Sequence, residues 1–157
     1  MVYRFSGDFE AQVRFSFNPT RCCQRAGLGI RSSQNPDNWI RIIRREAQAL
    51  EIQASDNNFL DTVSYSDEMV YFKIERKGFL VNVKYSANGN NWITVRKDYV
   101  FQLSFEVEIF LVVFSAHNNE GITARFNDFA IFSKSVIRGS SVNIIEKTYG
   151  KRLGLGV

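Results

Sequence analysis

Glu106 and Glu108 are the side chains whose type and spacing come nearest to a catalytic pair. Alternate residues of a β-strand share a face, so in Phe105-Glu106-Val107-Glu108-Ile109 both carboxylates stand together and Val107 turns the other way. Cleavage of a glycosidic bond with retention needs two carboxyl groups ~5–5.5 Å apart, one serving as acid and the other as nucleophile. Strands that cleave β-glucans in this way carry a further acid just beyond the pair, and here Phe110 and Leu111 stand in its place. The pair is therefore expected to be charge on the solvent face of a strand, with a glycan hydrolase as the alternative reading.

Other chemistry is less well provided for. His117 is the only histidine, and it follows Phe114-Ser115-Ala116 into a polar loop with no Gly-x-Ser-x-Gly elbow anywhere in the chain. The two cysteines are the neighbours Cys22 and Cys23, whose side chains diverge in an extended chain and are poorly placed to bridge each other. Two Cys and one His cannot fill a Cys/His zinc site. Asp128, near the end of an apolar strand, is the candidate ligand for a structural calcium held with backbone carbonyls, although no Asp-rich loop accompanies it. No other cofactor is expected. The stretch from Gly150 to Gly156 lacks the strand and helix that a phosphate loop demands.

Aromatic and cationic side chains are the remaining resource. Trp39, Arg41, Tyr71, Lys73 and Arg76 form the candidate ligand-binding set, since sugar rings stack on Trp or Tyr while Arg and Lys fix hydroxyls. Tyr85 and Trp92 could join them. Core and hairpin packing compete for the same aromatic rings.

The elements that must position these groups repeat with period two. Phe9, Ala11, Val13, Phe15 and Phe17 alternate with Glu10, Gln12, Arg14 and Ser16, the pattern of a strand buried on one face. Asn18-Pro19-Thr20 closes it. Further strands are expected over residues 26–31, 39–44 and 49–54. Tyr71 to Arg76 and Leu80 to Ser86 flank Lys77-Gly78 as a hairpin, and Asn88-Gly89 turns into a strand from Trp92 to Arg96. Phe105 to Ala116 reads as a central strand and Ala124 to Phe132 as the last. At least eight strands, and about ten in all, with turns between them, predict an all-β fold: an antiparallel β-sandwich, with a jelly roll the expected form. Beyond Ser133 the texture changes, and Asn143, Glu146 and Gly150 frame a single helical turn.

The totals bound the function. A chain of 157 residues with 45 % hydrophobic residues is one ordinary domain with enough apolar content to fold alone. The net charge of +4 is confined to the end: from Ser133 onward five basic residues face one acid, leaving fifteen of each before it. A neutral body argues against nucleic acid as a partner. No run approaches the ~18 apolar residues of a membrane helix, and the first residues carry no apolar leader, so a soluble, cytoplasmic protein without a membrane partner is expected.

Five segments, in order, resemble a family of small concanavalin A-like sandwiches catalogued as a domain of unknown function, which includes the fungal regulation-of-enolase proteins. They are Ala26-Gly27-Leu28-Gly29-Ile30-Arg31, Asn38-Trp39-Ile40-Arg41, the stretch Tyr71 to Gly78, Tyr85-Ser86-Ala87-Asn88-Gly89-Asn90-Asn91-Trp92, and Ala124-Arg125-Phe126-Asn127-Asp128-Phe129. The resemblance covers about residues 5 to 132 and implies a concanavalin A-like jelly roll over 1–132 followed by a basic extension over 133–157. Two departures stand out: the chain has no Trp-rich strand ahead of Tyr3, and Arg45 occupies the place of an acid six residues after Trp39, with Glu46 one further on. The expected function is non-catalytic recognition of a carbohydrate-like ligand or a protein partner on a sandwich face. The enolase-regulator resemblance implies the protein-partner version. A structural subunit assembling into a homo-oligomer through strand edges is the third reading.

Overall fold

The computed structural model describes residues 2–21, 23–46, 48–56, 59–115 and 123–133, together with the backbone of 147–148. These residues form twelve strands: β1 (Val2–Ser6), β2 (Phe9–Ser16), β3 (Gln24–Ser32), β4 (Trp39–Arg45), β5 (Ala49–Ala54), β6 (Asp61–Ser64), β7 (Met69–Lys77), β8 (Leu80–Ser86), β9 (Ile93–Val100), β10 (Glu106–Ser115), β11 (Arg125–Ser133) and β12 (Lys147–Thr148). A first sheet has the order β1-β10-β3-β4-β5-β6 and a second the order β12-β11-β2-β7-β8-β9. Every pairing between neighbouring strands is antiparallel.

The alternation in the sequence becomes the two-sided character of each sheet. Phe9, Ala11, Val13 and Phe15 of β2, Val70, Phe72 and Ile74 of β7, and Val81 and Val83 of β8 are buried from one sheet. Ala26, Leu28 and Ile30 of β3, Ile40 and Ile42 of β4, and Leu50 and Ile52 of β5 meet them from the other. Phe15 packs at 4.7 Å on Phe72 and at 5.5 Å on Phe126, between ring centroids. Each buried Val, Leu, Ile or Phe among them stabilises the fold by about 1.5–3 kcal/mol relative to exposure.

The two edges of the sandwich are closed by different chemistry. Tyr3 of β1 stacks on Phe129 of β11 at 5.2 Å, and Phe5 meets Phe9 at 5.4 Å. Across the opposite edge Arg96 of β9 pairs with Asp61 of β6 at 2.9 Å, and the Tyr99 hydroxyl donates to both oxygens of Asp56 at 2.8 Å. Burial and that carboxylate push the Tyr99 phenol up to about 12. The two ends are held by buried arginines at inward positions. Arg44 donates to the carbonyls of Tyr65 and Ser66. Arg76, at the other end, donates to those of Gly78, Ser104 and Phe105.

Several expectations shift. Three strands went unpredicted: β1, which lies along β10 at one edge, the four-residue β6, which lies along β5 at the other, and β12, where a helical turn was expected. The expected central strand, β10, sits between β1 and β3, one place in from the edge. Lys147–Thr148 is a strand and not part of a helical turn, because the outer edge of β11 offers unpaired peptide groups opposite Ala130 and Ile131. The rest of the 133–157 segment beyond Ser133 lies outside the described residues, as do Cys22 and His117.

Arg76 gives the first prediction. Arg76→Met strands three main-chain carbonyls at the sandwich end, and the unfolding free energy is expected to fall by about 3 kcal/mol. A urea titration reads this as a lower midpoint at unchanged slope; a variant as stable as the parent contradicts the clamp.

Candidate functional site

On its outer face the first sheet is built around a strip without side chains. The outward positions of β3 are Arg25, Gly27, Gly29 and Arg31, because Ala26, Leu28 and Ile30 point to the core. A methyl group at Gly27 would run into the Ile42 carbonyl oxygen, and one at Gly29 into the Phe110 ring. The bare middle of β3 therefore lets β4 and Phe110 approach closely, with a guanidinium at either end of the strip.

Beside that strip, β4 and β5 carry a connected polar array. Arg41 donates from Nε and Nη2 to Gln53 Oε1 at 3.0 and 2.8 Å. Gln53 Nε2 donates to Glu51 Oε2 at 3.0 Å, and the other Glu51 oxygen takes Arg45 Nη1 at 2.9 Å. The Arg41 guanidinium lies 4.5 Å above the Trp39 ring and 5.4 Å from that of Phe114, and Arg25 lies 5.6 Å from the same Phe114 ring. Although they face outward, Glu51 and Gln53 are buried, so the array is a packed floor. Burial lowers the pKa of Arg41 from its ordinary value, the nearby charge of Arg25 adds to the lowering, and Glu51 opposes it.

The Glu106 and Glu108 pair lies at the margin of this face, opposite Ser6 and Arg4 of β1. Arg31 reaches Glu108 Oε2 from Nε at 2.8 Å and from Nη2 at 2.7 Å, and Arg4 Nε reaches Oε1 at 3.2 Å. Hydrogen bonding from Arg31 chiefly, with Arg4 assisting and burial opposing, holds the Glu108 carboxyl below its usual range. A carboxylate held ionised by two guanidiniums is unsuited to donating a proton to a leaving group.

Tyr71 and Lys73 face the opposite side of the molecule, on the outer face of the second sheet. Lys73 lies 4.2 Å above the Trp92 ring and 3.5 Å from Glu10, while Lys84 pairs with Glu75 at 2.6 Å. Tyr71 rests against Gly89, whose φ of 78° is the turn conformation that Asn-Gly suits. Glu10 and Glu75 are directly opposite one another at the rim of a cavity of about 440 Å³, lined also by Phe9, Asn82 and Phe132. Of the five candidate residues, then, Trp39 and Arg41 come together and Tyr71 and Lys73 come together elsewhere. Arg76 is only 6 % exposed and spent on main-chain carbonyls, so its inward position withdraws it from either face.

Asp128 sits in a bulge of β11 at φ 50°, with its carboxylate 3.0 Å from Arg14 Nε. Among the described residues no group of three or more His, Cys, Asp or Glu side chains is placed to hold a metal ion. Glu46 accepts from the Cys23 amide at 3.3 Å and takes no part in the array; the acid of the array is Glu51. Glu51, Gln53, Arg25 and Phe114 went unrecognised. The signal for the first two was their parity in Ala49-Leu50-Glu51-Ile52-Gln53-Ala54, where the polar pair alternates with core residues.

Two antiparallel sheets packed face to face, with polar and aromatic outer surfaces, define an all-β sandwich of the jelly-roll class. The chain belongs to the family described as "Protein of unknown function (DUF1349)", which matches residues 1–134. Its fold is similar to that of a functionally unknown protein from Saccharomyces cerevisiae, at 15 % identity and TM-score 0.72 over 83 % of this chain and 72 % of that one. It is also similar to the carbohydrate binding module CBM66 from Bacillus subtilis, at 12 % identity and TM-score 0.54 over 82 % of this chain and 76 % of that one. The GH43 protein BlXynB from Bacillus licheniformis matches at 11 % identity and TM-score 0.65 over 76 % of this chain, which spans about a quarter of that protein, 26 %. Among curated proteins none matches the sequence.

The paired Glu108 yields a pH prediction. Because its folded pKa is depressed, its contribution to stability is complete above the ordinary carboxyl value of about 4.3 and is lost as pH falls through the lower folded value. Thermal melts should show Glu108→Gln melting below the parent near neutral pH, with the gap closing in strong acid. A gap that persists unchanged at low pH contradicts the assignment.

Proposed function

We propose that this protein is a non-catalytic recognition module whose outer face on the first sheet binds a carbohydrate-like ligand. One observation carries the reading: Arg41 is fixed on the Trp39 ring and by two hydrogen bonds to Gln53, beside the bare Gly27–Gly29 strip. Ring surface next to an oriented fork of N–H donors is what a sugar, apolar on its faces and hydroxylated at its rim, requires. Locking Arg41 beforehand reduces the ordering cost of binding. The fold shared with a carbohydrate binding module supports the reading, as does the commitment of Glu108 to Arg31 and Arg4, which leaves the hydrolase alternative without a free acid at that position.

A second reading, docking of a protein partner, is favoured by a separate surface. Phe79, Val100 and Phe105 are 64 %, 64 % and 76 % exposed, and they gather where Phe101 N bonds Phe79 O and Arg76 holds the Phe105 carbonyl. Self-association is its simplest form: sedimentation that depends on concentration and loses that dependence in Phe105→Ser would support it.

A glycan array followed by calorimetry tests the first reading. Trp39→Ala is expected to weaken binding of any captured glycan at least tenfold, Tyr71→Ala to leave it unchanged, and neither protein to release reducing sugar. Equal binding by parent and Trp39→Ala, or loss in Tyr71→Ala alone, places the ligand elsewhere.

A further inference from the structure

Three guanidiniums stand at one end of the face assigned to ligand, and they are short of counter-charge. Arg25 of β3 and Arg45 of β4 are directly opposite one another in the register, a like-charge pair of the kind that disfavours sheet pairing. Arg41 joins them, since Arg25 and Arg41 lie 5.6 and 5.4 Å from the one Phe114 ring. Glu51 is the carboxylate within the array, and it already bonds Arg45. Glu108, the other buried acid of this face, is spent on Arg31 and Arg4. The Nε atoms of Arg25 and Arg45 are shielded from solvent and have no hydrogen-bond acceptor.

From this arrangement we infer that the ligand is an acidic saccharide, whose carboxylate is received by Arg25, Arg41 and Arg45 while its ring lies toward Trp39; the inference rests on the carbohydrate reading above. Planar guanidiniums match a carboxylate with paired, charge-assisted hydrogen bonds, and aromatic support holds the donors in place. An arriving anion relieves the Arg25–Arg45 opposition by placing a negative charge between the two guanidiniums. Over Gly27 and Gly29 the face is closed by β4 and by the Phe110 ring, so a ligand that spans the arginines and Trp39 lies on those groups and not in a gap between them. On the outer face of the second sheet Lys73 and Lys84 each have a Glu beside them, Glu10 and Glu75.

The test is an array and calorimetry on the whole chain with galacturonate, glucuronate and mannuronate oligomers, each beside its methyl ester, and with sodium sulfate as a free-anion arm. At least one acid oligomer is expected to bind ten or more times tighter than its ester. That advantage should shrink with added salt and vanish in Arg25→Gln and Arg45→Gln, whose folding is checked by circular dichroism. Trp39→Ala should weaken acid and ester alike. Acid and ester bound equally would overturn the anionic assignment and leave carbohydrate recognition standing. Sulfate competing as tightly as the acid oligomers would overturn it in favour of a simple anion. Binding of neither acids nor esters would overturn both readings.

Discussion

The outer face of the first sheet depends on the missing Cβ atoms of Gly27 and Gly29. β3 runs between β10 and β4, so whatever side chains it turned outward would stand in the middle of that half of the surface. Leaving two successive outward positions bare lets the backbones of β3 and β4 close up and lets Phe110 lie across the strand. The arginines at the two ends of the strip are then carried by rings from β10, Arg25 by Phe114 and Arg31 by Phe110. Flat apolar surface and oriented donors thus arise together from one steric condition.

The opposite face answers the same demands differently. There Lys73 and Lys84 stand over the second sheet with Glu10 and Glu75 beside them, so these two ammonium groups each have a carboxylate partner. The half of the first sheet's face around Arg25, Arg41 and Arg45 keeps a surplus of cations despite a chain body that is neutral as a whole. Partly exposed ion pairs such as Lys73–Glu10 and Lys84–Glu75 add little to stability, about 0–1 kcal/mol, so the second sheet's outer charges are not what folds the protein. The core between the sheets and the two buried arginines at its ends do that, and they leave both outer faces free to differ.

Much of this was legible in the sequence. Period-two alternation marked β2, the β7–β8 hairpin and β11, and Asn88-Gly89 marked the turn that presses on Tyr71. Alternation reports which residues share a face of their own strand, but it is silent about which sheet that strand joins. Trp39 and Arg41 therefore read as companions of Tyr71 and Lys73, although β4 and β7 lie in different sheets. Arg76 was readable as inward from its parity with Phe72 and Ile74, and its charge masked the signal. Short strands such as β6 carry too few alternations to register. Gly27 and Gly29 read only as part of the strand over 26–31, and the packing of Phe110 and Ile42 around them shows the surface they create.

The protein's two tryptophans divide between the faces, Trp39 on the first sheet and Trp92 on the second, which makes them built-in reporters of where ligand goes. A titration followed by the two indole N–H resonances, together with the amides of Gly27, Gly29 and Gly89, tests the central claim most directly. Saturation with a bound glycan should move Trp39, Gly27 and Gly29 while Trp92 and Gly89 stay in place. Movement of Trp92 and Gly89 with Trp39 unchanged would contradict the account.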